Sequence, residues 1–510
     1  MKRRDLAIAS SLFTLAAGLP LAALSQPAGG KIARVVAAVA TEPDNLDPSL
    51  TRSAPVSRPT MDNVFMGLVM LDAKGDPVPG LAEWKYSPDG KTLTFVLRQG
   101  LTFHNGTPVT AQDVVFSHER MVANTQTYSR NIRSLDKVEV VDDRTVRFVF
   151  KTPTPIFIRS YLPIMSKAYL AKVGEAEFVA KPVGAGPYSL VQHVRGQYVE
   201  LKAFDKYFEG VPAATSVRVR FIADPSARVA ALRSGEVDII MTTPYADVQE
   251  LTAAGFKTVA VPSHPTVSLT MNMGNPNVPW SDVRVRKAIA HAIDADSIVK
   301  GLFFGVPKRF ARLAPGEVGY DASLKPYEYN VALSKQLLTE AGFANGFDMK
   351  LFYYVTSAAG FRETAEAVTL LLRKVGIRAT IEGIEGARAN EQLRAMTKDL
   401  STAVWVAIVP HSLANWGDPA DALSLSVASK SPLSVYRNAE FDKLVEAALT
   451  EVDTPKRADH LRQALKIIHD DVGSVPIFST VEVFAFKKGF NYQPIPRSAQ
   501  SLNAVHVSKA

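Results

Sequence analysis

VRVRFIADPSARVAALRSGEVDIIM, residues 217–241, decides the fold class. Val217, Val219 and Phe221 alternate with Arg218 and Arg220, the period of a strand that covers one face. Asp224 followed by Pro225 reads as an N-cap with proline at the first helical position, and Gly235 closes the helix before a second apolar strand over 237–241. Strand, helix and strand in that order make a βαβ unit, whose two strands lie parallel in one sheet with the helix on its face. The class is therefore α/β.

Towards the C-terminus the alternation of helix and strand continues. Pro279-Trp280-Ser281 opens a helix that puts Val285, Ala288, Ile289, Ala292 and Ile293 on one face, which predicts Arg284, Arg286 and Lys287 on the solvated side. A helix over 363–374 ends at Gly376 and runs into a strand over 377–381. Thr454 is the expected cap of a last helix that begins with Pro455, where Ala458, Leu461, Leu465, Ile468 and Val472 recur three and four apart. These segments form a second α/β body.

Towards the N-terminus the character changes. Ser87-Pro88-Asp89-Gly90 has turn chemistry, and Leu93, Phe95 and Leu97 alternate behind it. Thr110-Ala111-Gln112-Asp113 has the form of a capping box for a helix through Met121, and strands over 138–141 and 145–150 flank Asp142-Asp143 as a hairpin. Residues 51–180 thus read as an α+β unit inserted into two α/β lobes.

Lys2, Arg3 and Arg4 precede an apolar run over 6–24 and small residues at Ala23 and Ser25, the pattern of a signal peptide cut after residue 25. Arg3-Arg4 suits a twin-arginine signal as well as a general secretory one. The sequence contains no Cys, which excludes disulfides, thiol chemistry and a lipid-bearing cysteine, so the expected product is free in the periplasm and monomeric. Loss of residues 1–25 lowers the formal charge from +8 to +6. Those bases are spread along the chain, with no basic stripe to mark a nucleic-acid partner.

Glu83-Trp84 leads into SPDGKTLTFVLRQGLTFHNGTPVTAQDVVFSHER (87–120), followed by VGAGPYSLV (183–191), ALRSGEVDII (231–240), DVRVRKAIAHAID (282–294), LLTEAGFANGF (337–347) and KVGIRATIE (374–382). In this order the segments closely resemble the family 5 extracytoplasmic solute-binding proteins of ABC importers, the dipeptide, oligopeptide and nickel binders, over nearly the whole chain. The resemblance implies a two-lobed periplasmic-binding-protein fold with an additional α+β subdomain and two interlobe crossings. Lobe I would take 26–50, 181–270 and 485–510, the subdomain 51–180 and lobe II 271–484. It implies capture of a small polar solute, a peptide or a peptide-like, opine or glycoside type, and delivery to permease subunits in the inner membrane.

A cleft between two lobes places candidate ligand residues near the crossings and at strand ends. Glu42 follows the first strand, Tyr245 follows 237–241, and Asn272 lies by the first crossing. In lobe II, Tyr354 ends a strand, and the segment 404–418, read as a loop around Pro410, carries Trp405, His411, Asn415, Trp416 and Asp418. Aromatic rings offer stacking area, and Asn, His and Tyr offer directed hydrogen bonds. Dipeptide binders of the family carry an Asp three positions after a Trp to meet the peptide ammonium; here Ile408 occupies that place, with Asp418 as the candidate substitute.

Enzyme motifs are absent from the sequence. The residue four after His118 is Val122 rather than a second His, and neither a Walker A stretch nor a G-x-S-x-G elbow occurs. The expectation is a binding protein without metal or cofactor, with a secreted hydrolase of peptide-like substrates as the alternative, because hydrolase sites can assemble from distant residues.

Overall fold

A computed structural model describes residues 31–509 apart from 52–53, 73–75, 125–131, 356–359, 412–417, 496–501 and 503. One mixed sheet runs through both halves of the chain, and we number its ten strands. They are β1 (Val35–Val39), β2 (Tyr188–Val194), β3 (Tyr198–Ala203), β4 (Ser216–Phe221), β5 (Ile239–Ile240), β6 (Lys257–Met271), β7 (Asp348–Val355), β8 (Arg378–Glu385), β9 (Val406–His411) and β10 (Ser474–Phe486). Their order across the sheet is β8-β7-β9-β6-β10-β5-β1-β4-β3-β2.

The βαβ unit forms as its residue pattern requires. Val217 and Val219 are buried, and β4 and β5 flank β1 on either side, both parallel to it. Their crossover helix α1 (Pro225–Ser234) is capped by the Asp224 carboxylate, which accepts from Ala227 N at 2.7 Å. It ends on Gly235 at φ 78°, a left-handed conformation that costs glycine little. Only Ile239 and Ile240 of the strand expected over 237–241 pair in the sheet.

Two long strands join the halves. The first part of β6, Lys257 to Pro262, pairs with Phe486 to Val481 of β10, and the last part pairs with Ser479 to Ser474 through Thr266 to Thr270 and with β9 through Thr266 to Met271. Between Pro262 and Thr266 the register slips. A break of this kind weakens the ladder locally and bends it. It lies ahead of the boundary expected at 270/271. On the lobe I side the chain beyond β5 continues into α2 (Tyr245–Ala253), and lobe II contains α3 (Val283–Ala292), α4 (Phe361–Arg373), α5 (Gly386–Met396), α6 (Pro419–Ser426) and α7 (Thr454–Asp470).

The inserted unit has its own antiparallel sheet of strands Ala82–Tyr86, Thr92–Leu97, Thr145–Phe150 and Leu135–Val140, in that order. Its helix Ala111–Asn124 begins with half of the expected box, the Asp113 carboxylate taking the Thr110 N–H at 3.0 Å and the Thr110 hydroxyl at 2.8 Å. The unit shares one apolar core with lobe I, where Gly184 of the GAGPY segment lies against the Val64 backbone. A Cβ at residue 184 would meet the Val64 carbonyl oxygen at 2.0 Å, so only glycine allows this approach.

Three local expectations are corrected. Arg286 is buried rather than solvated, because its guanidinium closes the carbonyls of Asp471, Trp280 and Ser281, while Arg284 and Lys287 are exposed. The cap of α7 is Asp453, which accepts from Lys456 N at 3.0 Å, and Thr454 is the first helical residue. Within 404–418, residues 406–411 form strand β9 rather than a loop, and 412–417 lie outside the described residues: β9 lies between β6 and β7, and Pro410 comes after the last residues that pair with β7, where no bond on that side is lost.

Candidate functional site

Strand alternation sorts the residues of β9. Val406 and Ile408 pack into the core beneath α3 and α4, whereas Ala407 and Val409 face the other way, towards α5. His411, two residues beyond Val409, continues that second face. Trp405 joins it just ahead of the strand, its ring stacked on Phe352 of β7 with centroids 5.3 Å apart. Together with Tyr354 from the end of β7, these residues line a cavity of about 280 Å³. Asn390 of α5 and the segment 426–436, including Ser434 and Tyr436, close its far wall.

The cavity carries no formal charge, for none of its lining residues is Asp, Glu, Lys or Arg. His411 is neutral as well. Burial, with Arg312 adding to it, pushes its pKa down to about 4, so the imidazole carries no charge at neutral pH. Its Nδ1 is buried and has no hydrogen-bond partner. An unpaired buried nitrogen costs roughly 1–3 kcal/mol, which a suitable ligand group would recover. Burial raises the pKa of the Tyr354 hydroxyl, which therefore stays protonated, and the Tyr436 hydroxyl donates to Asp471 Oδ2 at 2.7 Å. The arrangement offers ring faces and neutral hydrogen-bonding groups.

Of the expected ligand residues, Tyr354, Trp405 and His411 meet in this cavity. Asn415 and Trp416 lie outside the described residues. Asp418 is corrected: it is fully buried, caps α6 through Ala420 N at 3.0 Å and forms a two-pronged ion pair with Arg457 of α7. Both carboxylate oxygens are thus already paired within the protein. Asn272 is corrected too, since its amide is fully buried and spent on Leu400 O, Ala403 O and Gly274 N, tying the end of β6 to the segment before β9. Glu42 is held by His193 Nε2 at 2.7 Å and Gly196 N at 2.9 Å. Tyr245 stands at the lobe I side of the crossing and donates to Val481 O of β10 at 2.8 Å. Ile408 is fully buried in the core, on the face opposite the cavity.

Asn390 and Tyr436 escaped the sequence reading. A weak signal existed for Asn390, because Asn inside a helix competes with the backbone and is unfavourable there without a task. Tyr436 gave none, being one aromatic residue between a loop and the Asn438 cap. Among the described residues no group of three or more His, Asp or Glu could hold a metal ion, and no helix is long and apolar enough to cross a membrane.

Residues 76–418 match the bacterial extracellular solute-binding proteins, family 5 middle. The chain is similar to the dipeptide-binding protein of Escherichia coli K12, with 27% identity over 500 residues covering 90% of this chain and 92% of that one. It is also similar to heme-binding protein A of Haemophilus influenzae, 26% identical over 455 residues that cover 80% and 79%. The structure of HbpA2 from Haemophilus parasuis superposes with a TM-score of 0.84 at 25% identity, covering 94% of this chain and all of that one.

Proposed function

The chain belongs to the bacterial extracellular solute-binding proteins of family 5, and from that membership we propose that it captures a small peptide-like solute whose lobe II portion is uncharged. It is a two-lobed periplasmic substrate-binding protein of an ABC importer, and its family works with permease subunits in the membrane. The observation that carries the ligand class is the charge-free cavity around Tyr354, Trp405 and His411. An isolated ammonium or carboxylate entering it would lose hydration without a counter-charge. A ring, an aliphatic side chain or an amide would keep its contacts and find partners.

The solute is returned unchanged. Lobe I takes 26–50, the chain from 181 to the register break of β6, and the C-terminal tail; 51–180 is the subdomain; and lobe II lies between the two crossings. Ligand contacts on both sides of the break favour the closed arrangement by as much as their affinity for the two arrangements differs. Residues 1–25 act as a cleaved export signal, and the mature protein is monomeric and not anchored by lipid. Family members being binding proteins supports the absence of turnover, and the missing cysteine supports the absence of an anchor.

A thermal-shift screen of the mature protein against dipeptides, opines and glycosides tests the ligand class, because a ligand selective for the folded state raises Tm. Compounds with an uncharged aromatic or aliphatic moiety should give the largest shifts and should be recovered intact by mass spectrometry. Preference for compounds charged throughout, or sustained conversion of the ligand, would contradict the reading.

A further inference from the structure

Parallel strands β1 and β5 end together on the side of the crossing, and in open α/β sheets ligands bind outside the carboxyl ends of such strands. Just past β5 the chain turns sharply at Thr242, whose φ of 56° is unusual for a residue with a branched side chain. Arg228 of α1 holds this turn by donating to Thr242 O at 3.1 Å, and its other end-on nitrogen donates to the carbonyls of Ile222 and Ala223. Thr243 N donates to Val483 O of β10 at 2.9 Å. Thr242 lies close to the carboxyl group of Glu482, where its polar groups favour the ionised form. Glu482 pairs in register with Val261, next to the place where the β6–β10 ladder slips.

This cluster is left incomplete by the protein itself. Glu482 Oε1 is buried without a hydrogen-bond partner, and so is Thr243 Oγ1, whose residue pairs with Val483 through its N–H. Other carboxylates that the sequence brought forward near the cleft are already committed, Glu42 to His193 and Gly196, and Asp418 to Arg457. The lobe II cavity offers no negative charge. Glu482 therefore combines three properties that none of them shares: a buried acceptor oxygen, no partner for it, and a place at the crossing between the lobes.

We propose that Glu482 is the lobe I anchor of the bound solute, accepting an ammonium or other cationic nitrogen donor on Oε1. The inference rests on the reading that the cleft binds a small solute, and it adds the charge of that solute's second end. Groups around Glu482 agree with an acceptor role. Arg228 from α1 is turned onto three carbonyl oxygens, Tyr245 from α2 donates to the adjoining Val481 carbonyl, and β6 contributes the non-titrating Val261 and Pro262. Burial raises the carboxyl pKa, opposed by the nearby Thr242 and by the Arg228 charge. A bound cation would lower it again, so binding at pH 4.5, where a carboxyl raised above its ordinary value is at least half protonated, should release protons to the buffer.

Calorimetry of the mature protein with Phe-Ala and Leu-Ala, each compared with its N-acetyl form, tests the assignment. The wild type should bind the free amines at least tenfold more tightly, with proton release at pH 4.5 seen as a difference between two buffers of unlike ionisation enthalpy. Glu482→Gln, which keeps the size and shape of the side chain, should abolish both the preference and the proton release while Tm stays near that of the wild type. Glu482→Asp should restore part of each. A folded Glu482→Gln protein with its amine preference intact overturns the anchor and leaves the solute-binding reading standing. Binding of neither form to the wild type contradicts the peptide-like reading, and the anchor falls with it. Should Glu482→Gln fail to fold, the two-buffer measurement on the wild type decides, and an absence of proton release with bound free amine overturns the proposal.

Discussion

The stretch from Trp405 to Asp418 has two polar ends that look alike in sequence and differ in the folded chain. At the first end, Trp405 and His411 border an open cavity, and a buried ring nitrogen has no partner. At the second, Asp418 is just as buried, yet its carboxylate caps a helix and grips Arg457. Burial and residue type therefore do not separate a ligand group from a structural one. The separation lies in whether the protein has already satisfied the group, since a satisfied polar group resists change and an unsatisfied one invites a partner.

Replacing Asp418 should give the largest effect and affect stability alone. Asp418→Asn leaves the Arg457 guanidinium buried without its counter-charge, and breaking such a pair costs roughly 3–5 kcal/mol. Urea unfolding should show that loss, while the affinity of the remaining folded protein for its ligand stays unchanged. Lost affinity with intact stability would reverse the comparison and return Asp418 to the ligand.

A smaller effect at the other end concerns pH. His411 has a folded pKa of about 4 against an ordinary 6.5, so as pH falls the unfolded chain takes up the proton first. The stability held by the neutral buried ring is complete above pH 6.5 and is lost progressively down to pH 4, by at most about 3 kcal/mol. His104 and His118 are depressed by burial in the same direction and add their own loss. His411→Gln should therefore flatten the decline between pH 7 and 4.5 by its share without abolishing it, as measured by unfolding midpoints. An unaltered pH profile would mean that the ring is not buried in the neutral form.

Smaller still is the expected result at the cavity mouth. Tyr354→Ala should weaken ligand binding by about 2 kcal/mol, the size of an aromatic contact at a binding site, with little change in the Tm of the unliganded protein. A drop in stability with unaltered affinity would place Tyr354 with Asp418 on the structural side.

Much of the architecture could be read from the residues because its determinants are local. The Asp224 cap, the Gly235 stop and the Asp113 half of the Thr110–Asp113 box each involve residues within a few positions, and each forms as the chemistry demands. Local rules failed where distant partners decide. Arg286 sits at a position where helix periodicity allows exposure, but the carbonyl of Asp471, far along the chain, draws it inside. Asp418 looked like a free acid because Arg457 belongs to another helix. Pro410 suggested a loop, whereas the end of β7 pairing leaves room for proline within the strand. Of the candidate site, Tyr354, Trp405 and His411 were visible as polar and aromatic residues near strand ends. Asn390 and Tyr436 join them only through the packing of α5 and the segment after α6 against β9, for which no short-range pattern exists.

Small-angle scattering of the mature protein, with and without the compound that most raises its Tm, tests the central claim of capture between two lobes most directly. The account predicts a single species whose radius of gyration falls on ligand addition, with the compound recovered chemically unchanged after unfolding. A radius of gyration that stays the same at saturating ligand, or recovery of a converted compound, would contradict it.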